Sequence, residues 1–149
     1  MRTPMANLEV RRLIEERRRA EETVRALHGP PMLQAMRDST MLVTRTARQL
    51  AKVDTGRHRA GIVPEVRLQG DVVQGVVGSN VAYAPFVVLG TKAHFPPISA
   101  LRVWARRHGT SAFVVARAIS KRGTKGDMSL IKGIVENAAE IFRRLEAAV

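Results

Sequence analysis

The apolar residues of this chain keep a helical period up to one short turn, Asp54-Thr55-Gly56, and an alternating period beyond it. Before the turn, Met36, Thr40, Val43, Thr44, Ala47, Leu50 and Ala51 recur three or four apart, which gathers them into one stripe along a helix. After it, Ile62, Pro64, Val66 and Leu68 recur two apart and share one side of a strand. Gln69-Gly70-Asp71 has turn chemistry, and Val72 to Val77 returns as a second strand, so a hairpin is predicted. Pro64 has no N–H to give a ladder, so the first strand is an edge or Pro64 marks a bulge. A free edge invites pairing with another subunit. With helical patterns on both sides of the hairpin, the fold class is α+β: a small antiparallel sheet with a central hairpin packed against several helices.

The flanks divide the chain into an N-terminal charged helix or arm, 1–30, and a single core domain, 31–149. Asn7 to Leu27 is polar nearly all round, with Leu8, Leu13, Ile14, Val24 and Leu27 as its few apolar positions. Such a helix relies on ion pairs three or four apart, and projects or packs on a neighbour. Gly29-Pro30-Pro31 breaks it, and a proline in the first turn starts the next helix. Ala82 to Leu89 reads as a brief helix stopped by Gly90. Pro96-Pro97 introduces a helix carrying Ile98, Leu101, Val103, Trp104 and Ala105, with Ser99 available as a cap and Gly109 as its end. Thr110 or Ser111 caps the next, and Lys121-Arg122-Gly123-Thr124-Lys125-Gly126 reads as a mobile basic loop. A last helix after Asp127 lines up Ile131, Ile134, Val135, Ala138, Ile141, Phe142 and Leu145.

The 149 residues contain no cysteine, which removes disulfides, thiolate zinc sites and cysteine nucleophiles. No apolar run reaches the roughly 20 residues of a membrane span, and the first residues lack the apolar core of a secretion signal, so a soluble protein of the cytoplasm is expected. The formal net charge is +12. Arginines and glutamates of the first helix largely cancel, whereas Lys92, Arg102, Arg106, Arg107, Arg117, Lys121, Arg122 and Lys125 lie in a block without Asp or Glu and hold eight of those twelve charges. Such a block serves either as a solvated surface or as a contact for a polyanion, DNA phosphate being the commonest.

Enzymatic readings find little to stand on. Asp54-Thr55-Gly56 matches the triplet of aspartic proteases, but Arg57, His58 and Arg59 beside it oppose a shared-proton carboxylate pair. The alternative is a helix-to-strand corner in which Asp54 bonds nearby backbone amides and Gly56 takes unusual dihedrals. His28, His58, His94 and His108 have neither metal-ligand spacing nor acidic neighbours, so they are read as loop or surface residues, and no metal or cofactor is expected. The basic glycine loop lacks the phosphate-loop order, and no serine sits in a nucleophile elbow. Tyr83, Phe86, Phe95, Trp104, Phe113 and Phe142 could stack on bases, yet core packing is the expected fate of most.

Three elements in order, Val53-Asp54-Thr55-Gly56-Arg57, then Tyr83-Ala84-Pro85-Phe86, then Gly90-Thr91, carry a resemblance. The stretch resembles the neck or tail-completion (head-tail joining) proteins of long-tailed bacteriophages, a family often called gene-ten-like. Its pattern runs V-D-T-G-x-L-R-x-S-I, an alternating hairpin ending in G-x-x-x-x-Y-A, then V-E-F-G-T. Ile62, Gly78, Tyr83 and Ala84 fall in step, while His58, Gly61 and Val88 stand where Leu, Ser and Glu are usual. The match covers Leu33 to Thr91; beyond it only the style agrees, in a Pro-Pro-Ile segment, a Trp-Ala-Arg-Arg helix and a Lys-Arg-Gly-Thr-Lys loop.

The resemblance implies a non-enzymatic virion protein of the neck or tail, assembled in the host cytoplasm. It implies a homo-oligomeric ring, a hexamer in preference to a dodecamer, whose partners are connector or stopper, tail terminator and tail-tube proteins. The basic surface, with Arg102, Arg106, Arg107, Lys121, Arg122 and Lys125, then lines the DNA channel nonspecifically or faces acidic partner rings. The competing expectation is a standalone nonspecific nucleic-acid-binding protein that uses the same cations.

Overall fold

A computed structural model describes the backbone of residues 4–70 and 72–149, with side chains from residue 11 onward. The first two elements are helices, α1 (Pro4–His28) and α2 (Pro30–Leu50), separated by Gly29 with two prolines opening α2. A single turn, α3 (Arg57–Ala60), precedes the strands β1 (Ile62–Gln69) and β2 (Val72–Ser79). Then come α4 (Ala84–Val88), β3 (Gly90–Thr91), α5 (Ile98–Arg107), α6 (Ala112–Arg122), β4 (Thr124–Lys125) and α7 (Ser129–Glu146). The architecture is α+β: a two-stranded antiparallel hairpin packed against helices, with a long N-terminal helix.

The core is built around α2. One of its sides carries Val43, Thr44, Ala47 and, just past its end, Ala51, all buried as their spacing predicts. The hairpin lies on this side through Ile62, fully buried, and Val77. Arg48 fastens it, donating from Nε and Nη2 to the Ile62 carbonyl at 3.0 and 2.7 Å. Pro64 sits opposite Val77 in an unbroken register, so the edge reading of β1 holds and the bulge does not.

Helix α7 packs on α2 through small groups, with Leu130 at its start against Ala47, Ala51 and Ile62. A Cβ at Gly133 would stand 3.0 Å from the Val43 carbonyl and 3.2 Å from the Ala47 Cβ. The two backbones therefore meet closely where glycine faces alanine, and Asn137 closes the contact by donating Nδ2 to Thr46 Oγ1 at 2.9 Å. This seating turns Ile131, Ile134, Val135 and Phe142 outward, at 43, 51, 68 and 65% exposure. The aromatic residues likewise depart from expectation: Tyr83, Phe86, Phe95, Trp104, Phe113 and Phe142 all lie at 37% exposure or more. Alanines, glycines and short polar residues leave α2 too near its partners to admit rings.

Helix α1 projects. Every residue from Arg11 to Arg25 is exposed, and Arg12–Glu16, Arg17–Glu21 and Arg18–Glu22 form ion pairs of 2.9 to 3.1 Å, one turn apart. The segment from Lys121 to Gly126 is not a free loop. Lys121 and Arg122 complete α6, and Thr124 and Lys125 form β4, paired with Thr91 and Gly90 of β3. A two-residue pairing across thirty-odd positions leaves no periodic trace, which is why the sequence pattern reads as a loop. At α5 it is Pro97, with no side-chain bond, that occupies the cap position in place of Ser99, whereas Ser111 Oγ caps α6 by accepting the Phe113 N–H at 3.3 Å.

Gly90 has φ +78°, and a Cβ there would lie 2.2 Å from the Thr124 carbonyl oxygen. Gly56 has φ +80° with nothing within 4 Å of such a Cβ. Gly56→Ala should therefore lower unfolding free energy by about 1 kcal/mol, from the dihedral alone. Gly90→Ala should cost roughly 2 kcal/mol or more, because the β3–β4 pairing must also open. Urea unfolding of both variants checks the order, which equal losses would contradict.

Candidate functional site

The end of α2, the turn α3, the corner α4 and the start of α7 converge on one residue, Asp127. The Asp127 side chain is 2% exposed; its Oδ2 accepts the Lys52 N–H at 3.2 Å and its Oδ1 the Ser129 N–H at 3.0 Å. The Asp127 and Met128 N–H groups donate in turn to the carbonyls of Val87 and Val88, each at 3.0 Å. His58 Nε2 stands 3.7 Å from Asp127 Oδ2. His58 is buried, not the loop or surface residue its scattered spacing suggests, because α3 turns it inward under the corner. Val88 is also buried.

Asp54 does not bond the backbone amides of its own turn. Its Oδ2 accepts from Arg107 Nη2 at 2.6 Å, and His108 Nε2 lies 3.9 Å from Oδ1. The α2–α3 connection is thereby tied to the end of α5, where Trp104 stacks on His108 with ring centroids 4.0 Å apart. Arg107, one of the six cations expected to meet nucleic acid, is committed to this pair instead. Helices α5 and α6 pack chiefly on each other. The Asp54–Arg107 pair and the β3–β4 ladder are the tethers that hold them to the body.

Between this helical pair and the corner runs an open groove of about 1200 Å³. Tyr83 and Phe86 of the aromatic-proline corner form one wall, and Leu101 and Trp104 of α5 with Val114 and Ile119 of α6 form the other. Lys52, Lys92, Arg122 and Lys125 are the cations along it, and no Asp or Glu lines it. The fold thus brings together Arg122 and Lys125 from the expected basic set, with Tyr83, Phe86 and Thr91 from the expected motif. Arg102, Arg106 and Lys121 do not line the groove; the first two share a face of α5, one turn apart. Asp54, Thr55 and Gly56 line a neighbouring hollow with His58 and His108, while Ala84 is buried and Gly90 serves the β3–β4 pairing. Pro85 opens α4.

Lys52 is the residue that sequence reading missed. It lies far from the basic block, and only the fold carries its Nζ to within 3.4 Å of the Lys125 carbonyl. Among the described residues no three His, Asp or Glu side chains gather as metal ligands would, and no helix is long and apolar enough to cross a membrane.

Breaking the outer tether should loosen α5 and α6 alone. Arg107→Ala should speed hydrogen exchange across residues 98–122 while leaving α2 and α7 protected, and a double-mutant cycle with Asp54→Ala should give a coupling of about 0.5 kcal/mol for this half-exposed pair. Uniform acceleration through the whole chain would show that α5 and α6 are not a separately tethered unit. Comparison of the chain with protein-family models, with curated proteins and with solved structures finds no match.

Proposed function

We propose that the chain is a structural virion protein of the bacteriophage neck, a tail-completion or head-tail joining component that assembles as a ring between head connector and tail tube. The observation that carries this reading is where the apolar surface lies. A folded monomer of 16.4 kDa exposes about 7,500 Å² by the usual scaling with mass, whereas this chain exposes 11119 Å². The projecting α1 contributes to the excess, and so do the outward face of α7 and every described aromatic ring. A standard interface takes about 800 Å² from each partner, so two interfaces per subunit fit within the excess. Two faces per subunit are what a closed ring needs.

The same observation disfavours the competing readings. A monomeric enzyme or a standalone nucleic-acid-binding protein gains nothing from leaving Ile134, Val135, Phe142 and Phe86 in water. An ion-paired Asp54 suits a joint between elements better than a reaction centre. In the ring, the Val53-to-Thr91 stretch is the joining scaffold, the outer face of α7 and the hairpin edges are subunit contacts, and Arg102, Arg106, Arg117 and Lys121 supply basic surface toward DNA. These four make no ion pair among the described residues. A hexamer is the expected ring, between connector and terminator, and no cofactor takes part.

Sedimentation velocity over a range of concentrations should show a closed oligomer of six subunits, and negative-stain images a ring. Phe142→Glu should shift the protein to monomer with its helical circular dichroism kept. DNA binding should be weak and fall steeply with salt. A monomer at every concentration that binds DNA tightly and saturably would instead establish the standalone nucleic-acid-binding protein.

A further inference from the structure

We propose that the groove between the aromatic-proline corner and the α5–α6 pair is a docking site for an acidic amphipathic helix of a different protein. This goes beyond the ring reading and does not depend on it. At about 1200 Å³ the groove exceeds the roughly 300–1,000 Å³ of small-molecule pockets, and it is open to solvent. Its walls are apolar side chains left in solvent, Phe86 at 63% and Val114 at 59% exposure among them. A helix laid into such a trough buries apolar residues at i, i+3 or i+4 and i+7.

Charge decides whose helix it is. Lys52, Lys92, Arg122 and Lys125 border the groove, none of them pairs with a carboxylate among the described residues, and no acidic residue lines it. An occupant must bring negative charge beside an apolar stripe. The chain's own helices do not offer that, since neither is net acidic: α1 has six arginines to five glutamates, and α7 sets Lys132, Arg143 and Arg144 against Glu136, Glu140 and Glu146. In α1, Glu16, Glu21 and Glu22 are paired with arginines of the same helix. In α7, Glu140 is engaged by Arg144 and Arg143, and the hydrogen bond from Arg144 first of all holds its carboxyl below the ordinary glutamate value. Glu65 is held low in the same way by Arg67, and Asp54 and Asp127 are engaged as described. A second copy would therefore bring its exposed apolar stripe with as many cations as carboxylates, which points to an outside partner. Duplex DNA matches the cations but has no apolar face to cover Phe86, Leu101 and Val114.

The test is selection of displayed random peptides of about a dozen or more residues on the full chain, with depletion on Ala118→Trp, which fills the groove from α6. Enriched peptides should place apolar residues at helical spacing between Asp and Glu. A synthetic peptide of that consensus should bind wild type, lose about tenfold or more in affinity with Ala118→Trp, and lose as much with the paired reversal Arg122→Glu, Lys125→Glu. The reversal changes only exposed side chains, so it remains informative if the tryptophan variant unfolds. Neutral or basic consensus peptides, no enrichment, or affinity indifferent to both variants would overturn the proposal. So would displacement of the peptide by duplex DNA. Binding seen with the Phe142→Glu variant but not with wild type would mean that another copy already fills the groove; a monomeric wild type that binds the peptide would fail the ring reading alone.

Discussion

The carboxylate of Asp127 holds this fold at its narrowest point. Buried beside the end of α2, it accepts the N–H groups of Lys52 and Ser129, which fixes the close of one long helix against the opening of another. The neighbouring backbone donors bind the last carbonyls of α4, and His58 sits over the same oxygen from α3. Segments scattered from 52 to 129 are thereby registered on the Asp127 side chain and the backbone beside it. A buried carboxyl group is tolerated here because its oxygens meet donors, and removing it would leave those backbone N–H groups unsatisfied in a dry site.

Around that node the packing is tight and small. Gly133 against Ala47, Ala51 beneath the hairpin and the Arg48 clasp on Ile62 make a thin core that holds a few aliphatic side chains and no rings. Those side chains are displaced to the outside, onto α7, onto the corner and onto the α5–α6 pair. The result is a small body with much of its apolar surface facing outward, the distribution on which the proposed assembly role rests. The same displacement builds the groove, since the rings of Tyr83, Phe86 and Trp104 that found no place in the core become its walls.

Much of this was legible along the chain. The stripe from Met36 to Ala51, the proline break before it, the hairpin register and the brief helix after Tyr83 follow from local period, caps and turn residues, all of which act over a few positions. The docking face of α7 was legible only in part, Ala138, Ile141 and Leu145 of the expected side being half-buried. Ile131, Ile134, Val135 and Phe142 form the more apolar side of α7 by spacing, yet the helix docks by Gly133 and Asn137, because backbone approach and a side-chain bond to Thr46 set the contact. His58 and Asp127 could not be paired by inspection, being 69 positions apart in a chain with three other histidines.

What the sequence determined by itself is the alternation of helix and hairpin, the arm of paired Arg and Glu, and the basic block without acids, because each is a property of neighbouring residues. Only the tertiary structure decided that Arg107 would be spent on Asp54, that Thr124 and Lys125 would form a strand with Gly90 and Thr91, and that Lys52 would join Arg122 and Lys125 at one groove. The physical reason is range. Period and propensity act over one or two turns, whereas these contacts bring together groups 33 to 73 positions apart, and nothing local marks which of several equivalent cations or glycines will be the one that meets its partner.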